Sequence, residues 1–389
     1  MIIYNKTWLS NLLLINQVEK EFEAGLITNQ ELRNIKEKYP VGFYSPNLFI
    51  RAGLFLLTLI ISIFSSGFLS LILADAHVIE SYGWLIFLAL VHYIALEFLV
   101  QTKFHFRSGA DDALLWITFG LLTAAFVWAG SNKNADNYLR ISGFIFILSA
   151  ILSLRFSDVL MSAVCCLSCL AFLFFAWQKM GGLGLTTLPF ILMFSSGLIY
   201  WFVRKNAGST KTKFYAGSLV VLQAISLITL YLAGNYFFVR ELGNMLSGSK
   251  NESIPFDWFF WLWTATLPFL YIGFGLLQRN RTLLRTGLLL IAVTAFTIRN
   301  YYHLVPLELA LSLCGIITLS ISYIVINYLR IPRNGFTSAE TENPDLIDKL
   351  NVESLVISET FSKTGQGSTE ESTLFGGGKF GGGGASSGF

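Results

Sequence analysis

The stretch LFIRAGLFLLTLIISIFSSGFLSLILA, residues 48–74, carries one charge, Arg51, close to its start and is otherwise apolar or small. A helix needs about 20 apolar residues to cross the hydrocarbon core of a bilayer, and this run exceeds that without a break. Further apolar runs follow at roughly 82–100, 113–130, 139–155, 158–177, 184–203, 213–234, 258–277, 283–298 and 304–329. They are continuous rather than alternating, which argues against a β-barrel. The spacing predicts an all-α membrane protein with about ten transmembrane helices over residues 48–330. The runs 139–155 and 283–298 are short and flanked by Arg140, Arg155, Arg285 and Arg299, so they are expected to be tilted, interfacial or covered by neighbours.

Composition agrees with that class. The chain has 389 residues, 54% hydrophobic and 13% charged, with 35 Phe and 9 Trp, whereas soluble domains carry about a quarter charged residues. A net charge of +3 spread between apolar runs gives no nucleic-acid surface. It does set orientation, because Lys and Arg accumulate on the cytoplasmic side of a membrane. One side collects eighteen of them, from Lys6 in the leader to Arg333 after the last run. The other collects six: Lys133, Arg140, Lys179, Arg240, Lys250 and Arg299. Both termini are therefore expected in the cytoplasm, in an inner (plasma) membrane.

Residues 1–47 read as a small cytosolic helical leader without a cleavable signal peptide. Trp8–Ala24 is one expected helix, with Thr7 as cap and Gly25 past its end. A second starts at Thr28, whose spacing to Glu31 is that of a capping box, and must stop before Pro40. Residues 331–389 read as a cytosolic tail, Gly-rich from about 365 and ending GGGKFGGGGASSGF. Such a segment has too little to bury to offset its chain entropy, and disorder is expected.

GLITNQELRNIKEKYP, Gly25–Pro40, followed at once by a train of spans, resembles the leader of a family of uncharacterised bacterial polytopic membrane proteins. The resemblance implies eight to ten spans behind a short leader, and no reaction. The ending GGGGASSGF, Gly381–Phe389, is similar to the Gly-rich tails of bacterial TPM-domain membrane proteins. No TPM domain is visible upstream.

Candidate chemistry is sparse. His92 lies near the centre of the second run and Gln223 near the centre of the seventh. Polar groups at that depth are costly and point to a proton relay or ligand site, or to a hydrogen bond at a helix interface. Glu97 and Glu308 are candidate coupling carboxylates, but each sits about one turn from a span end, within reach of interfacial water. Asp111, Asp112 and Asp158 precede spans and suit helix N-termini. Cys165, Cys166 and Cys169 have half-site spacing but no second ligand pair, and with Ser162 they form a small-residue stripe, as Ser62, Ser66 and Ser70 do on the first span. No catalytic, cofactor or metal constellation is expected. The expected partners are the lipid bilayer and a protein engaged by the leader or tail. Function reads first as a non-enzymatic scaffold, accessory or sensor component. The alternative is a small-solute or ion transporter of two five-helix halves, with Pro189 and Pro268 hinting at interrupted helices.

The charge asymmetry makes a direct prediction. A topology reporter in the leader or after Arg333 should read cytoplasmic, and one inserted near Ser247–Ser249 should read external. A cytoplasmic signal from the latter would mean that the span count or the charge rule fails here.

Overall fold

The computed structural model describes residues 2–73, 78–130, 135–247 and 255–301, with a few isolated helical residues between 312 and 327. Most of the tenth expected span, the tail and Glu308 lie outside the described residues. Within them the chain is an all-α, multi-pass membrane protein, in which nine helices are long and apolar enough to cross a bilayer. The leader forms α1 (Lys6–Glu23) and α2 (Asn29–Lys38). The spanning helices are α3 (Leu48–Ile72), α4 (Tyr82–Thr102), α5 (Ala110–Ala129), α6 (Ala135–Phe156), α7 (Val159–Gln178), α8 (Gly182–Asn206) and α9 (Ala216–Gly234). After the short α10 (Tyr236–Ser247) come α11 (Asp257–Leu277) and α12 (Arg281–Tyr301).

The two short runs lie in helices long and apolar enough to span. α6 has 22 residues and α12 has 21, and at about 1.5 Å per residue each covers the roughly 30 Å of hydrocarbon. Their flanking arginines are simply the interfacial ends of longer helices. α10 was not expected: the segment 235–257 reads as a loop, yet twelve of its residues are helical. Pro189 and Pro268 also lie inside continuous helices rather than at interruptions.

Short connections pair the spans into four tight hairpins, α4–α5, α6–α7, α8–α9 and α11–α12. The hairpins stand side by side in chain order: α5 meets α6, α7 meets α8 and α9, and α9 meets α11 and α12. α3 packs mainly on α5 and leaves most of its surface bare. Ser153 and Ser162 share a hydrogen bond of 2.6 Å across the α6–α7 hairpin. Connections 103–109, 157–158 and 207–215 lie on the side that carries the leader, called the leader face below.

The leader is a docked cap rather than a separate arm. Ile3 N–H donates to the Arg155 carbonyl at 3.0 Å, and Tyr44 of the leader bonds the α4–α5 connection twice, its N–H donating to the Phe104 carbonyl at 3.0 Å and its carbonyl accepting from Phe106 N–H at 3.2 Å, as an isolated bridge opposite His105. Tyr4, Trp8, Phe43, Phe104 and Phe106 form one edge-and-stack cluster with ring centroids 4.9–6.0 Å apart. Such aromatic pairs contribute about 0.5–1.5 kcal/mol each beyond area burial. Gly42 lies flat under the Trp8 indole, where a Cβ would collide. Lys213 reaches Ser10 Oγ at 3.0 Å, tying the start of α9 to α1. Thr28 and Glu31 form the expected capping box, while α1 is capped by Asn5 rather than Thr7.

Gly109 is the residue on which α3 can close against α5. Its φ is +94°, and a Cβ there would strike the Arg51 carbonyl. Gly109→Ala should destabilise the purified protein by about 1–3 kcal/mol, read as a lower melting temperature in detergent. Gly120→Ala, with open space around it, should not lower the melting temperature. Equal behaviour of the two variants would show that this helix contact does not hold the fold.

Candidate functional site

At the leader end of α5 the sequence RSGADD, residues 107–112, makes a tight polar knot. Asp111 turns back on the chain: one carboxylate oxygen accepts from Arg107 N–H at 2.8 Å, and the other from Ser108 N–H and Oγ–H at 2.8 and 2.9 Å. Because Ser108 Oγ donates there, it accepts at 2.7 Å from His105 Nδ1–H, which fixes that imidazole's tautomer. Asp112 does not cap its helix as the sequence suggests. Its Oδ2 instead accepts from Arg51 Nε and Nη2 at 2.9 and 2.7 Å, which joins α3 to α5. Asp158 behaves as expected, accepting from Met161 N–H at 2.6 Å as the cap of α7.

These groups surround a cavity of about 750 Å³ between α3, α5 and the start of α7. Arg51, Arg107, Asp112 and Asp158 line its leader end, and Phe55 and Trp116 line it deeper in. Burial pushes the Asp158 carboxyl above its usual range, against the Met161 N–H bond and the two nearby guanidiniums, which pull it down. Tyr4 from the leader sits buried beside the knot; burial, and then the Asp111 and Asp112 carboxylates, push its phenol well up.

Glu97 is engaged in a contact between helices. Its carboxylate pairs with Arg155 of α6, and the same Arg155 offers its carbonyl to Ile3 of the leader. A pair 58 residues apart thereby connects α4, α6 and the start of the leader. His92 is buried, and its Nδ1 lies 2.8 Å from the Leu88 carbonyl one turn back in α4. A carbonyl only accepts, so Nδ1 carries the hydrogen. Gln223 is buried in α9, where its own carbonyl accepts from Ser226 Oγ at 2.9 Å. α4 and α9 are not packed together, so the two mid-membrane candidates do not form one site. Cys165, Cys166 and Cys169 are free thiols along α7.

Sequence reasoning missed a second polar cluster at the far end of α9. Asn235 is fully buried at the α9–α10 break and donates to Tyr231 OH at 2.9 Å and Thr297 Oγ at 3.1 Å. Tyr231 OH meets Thr294 Oγ at 2.8 Å, and Thr294 lies 3.3 Å from the Thr264 carbonyl. That carbonyl stands four residues before Pro268, which has no N–H to offer it. The Thr294 hydroxyl, which is also 3.0 Å from the Leu290 carbonyl of its own helix, shares its hydrogen with the carbonyl that the proline leaves without one. The available signal was Asn235 itself, a capping residue type ahead of an amphipathic run: its Oδ1 accepts from Phe237 N–H at 3.0 Å.

The His92 geometry predicts that His92→Gln, which can still donate to a carbonyl, inserts and melts like the parent and leaves any measurable phenotype intact. A variant that folds normally but loses a solute-flux or pH-dependent phenotype would restore His92 as a functional group.

No family model matches the chain, and no curated protein or solved structure is similar to it.

Proposed function

We propose that the chain is a non-enzymatic scaffold, accessory or sensor component of a bacterial plasma membrane, with the leader and tail in the cytoplasm. The docking of the leader carries this reading. A cap tied to Arg155, to the α4–α5 connection and to the start of α9 transmits whatever binds it to several spans at once. The helix α2 remains available for such binding, with Gln30, Arg33, Asn34 and Glu37 exposed at helical spacing while Leu32 is buried. The excess of Lys and Arg on the leader side supports the orientation, and the Gly25–Pro40 leader supports kinship with leader-bearing bacterial membrane proteins.

The transporter reading has less to stand on. Its halves would cross around a shared central site, whereas the hairpins neighbour one another in sequence order and the proline-bearing helices are continuous. Photo-crosslinkers placed at Arg33 and Glu37 of the full chain in intact cells should give the same discrete protein adduct, and one at Asn244 on the opposite face should not. Absence of that adduct, together with solute or proton flux in vesicles holding the pure protein, would replace this reading with transport.

A further inference from the structure

We propose that the groove between α3 and α7 holds one phospholipid with a zwitterionic, amine-bearing headgroup, drawn from the leaflet on the leader face. The inference needs only that the chain spans a bilayer and stands apart from the functional reading above.

The shape comes first. α3 packs mainly on α5, so α5 floors a gap whose walls are α3 and the start of α7. Arg51 and Phe55, like Asp112 and Trp116, are one turn apart on their helices, so the lining changes from charged to apolar about 6 Å further into the membrane. Leu56 and Leu160 at the mouth are each 60% exposed, which leaves the groove open sideways to hydrocarbon. A ligand fitting that gradient has a polar end at the interface and chains at depth.

The charges then choose the headgroup. Two guanidiniums, Arg51 and Arg107, face two carboxylates, Asp112 and Asp158, so the lining is formally neutral. Arg107 rests on the Phe106 ring at 5.4 Å and has no ion pair among the described residues. Guanidinium is the side chain best matched to phosphate oxygens. Asp112 commits one oxygen to Arg51, and Asp158 commits one to the α7 N-terminus. Their remaining oxygens offer a primary ammonium the hydrogen bonds that it needs out of water. An anionic headgroup would satisfy Arg107 but leave the carboxylates facing like charge.

The full chain, purified in mild detergent, would be titrated with phosphatidylethanolamine, phosphatidylcholine or phosphatidylglycerol and read by native mass spectrometry. The ethanolamine lipid should be retained about tenfold more than the glycerol lipid, the scale of one charge-assisted hydrogen bond. The choline lipid, whose ammonium has no N–H, should fall between them. Asp158→Asn keeps an acceptor for the Met161 N–H but removes the charge, and should abolish that preference. Arg107→Gln, in an exposed connection, should weaken all three lipids, while Arg33→Gln in α2 should change nothing. The proposal fails if the glycerol lipid binds as well as the ethanolamine lipid, if Arg107→Gln leaves retention unchanged, or if soluble glycerophosphoethanolamine occupies the protein as readily as the lipid does.

Discussion

Hydrocarbon offers no hydrogen bonds, and every polar atom of the spanning region has to be reconciled with that. Ser149, Ser168, Thr123 and Thr286 do so alone, each donating to a carbonyl of the preceding turn. His92 uses the same device with an imidazole. Where a helix loses a bond of its own, at Pro268, a neighbouring helix has to supply one, and the Tyr231–Thr294–Asn235–Thr297 cluster follows from that need and from the break after α9. Full charges are dealt with differently: on the leader side they pair across helices close to the helix ends, Arg51 with Asp112 and Arg155 with Glu97.

Features set by one local variable were legible in the sequence. Bilayer thickness turns run length into a span, so the described spans fell close to their expected places. Capping depends on residues three apart, so Thr28–Glu31 and Asp158–Met161 were readable as well. α10 has no such signature: twelve amphipathic residues after a polar break look like loop until something packs against them. The ion pairs were illegible for another reason. Arg51 and Asp112 are 61 residues apart, and only the packing of α3 on α5 brings them together. Asp112 consequently looked like a cap, the role that its position alone would give it. Membrane depth singled out His92 and Gln223 but is silent on partners, which are decided by rotamer and neighbour.

The leader shows how local and distant information combine. Its helices follow from caps and periodicity, but its place follows from aromatic rings in three segments, Tyr4 and Trp8, Phe43, and Phe104 with Phe106, none of which forms a pattern in isolation. Once docked, it covers the ends of α4–α7 and buries Tyr4 against the Asp111 knot, so the cap and the charged groove share Arg107, Asp112 and Asp158 as neighbours.

That sharing makes the two faces of the array unequal. On the opposite face Asn235, Tyr231, Thr294 and Thr297 are neutral groups that bond one another and hold α9 and α12 in register, beside a buried Trp263 Nε1 that has no partner among the described residues. On the leader face Arg107 has no ion pair among the described residues, Asp112 and Asp158 each commit one oxygen to the bonds described above, and the groove beside them opens toward lipid. Polar capacity beyond what the fold consumes is costly near a membrane, and it persists where something outside the chain completes it. On the two proposals made above, the leader face, with its cap and its groove, is where this protein would meet its surroundings.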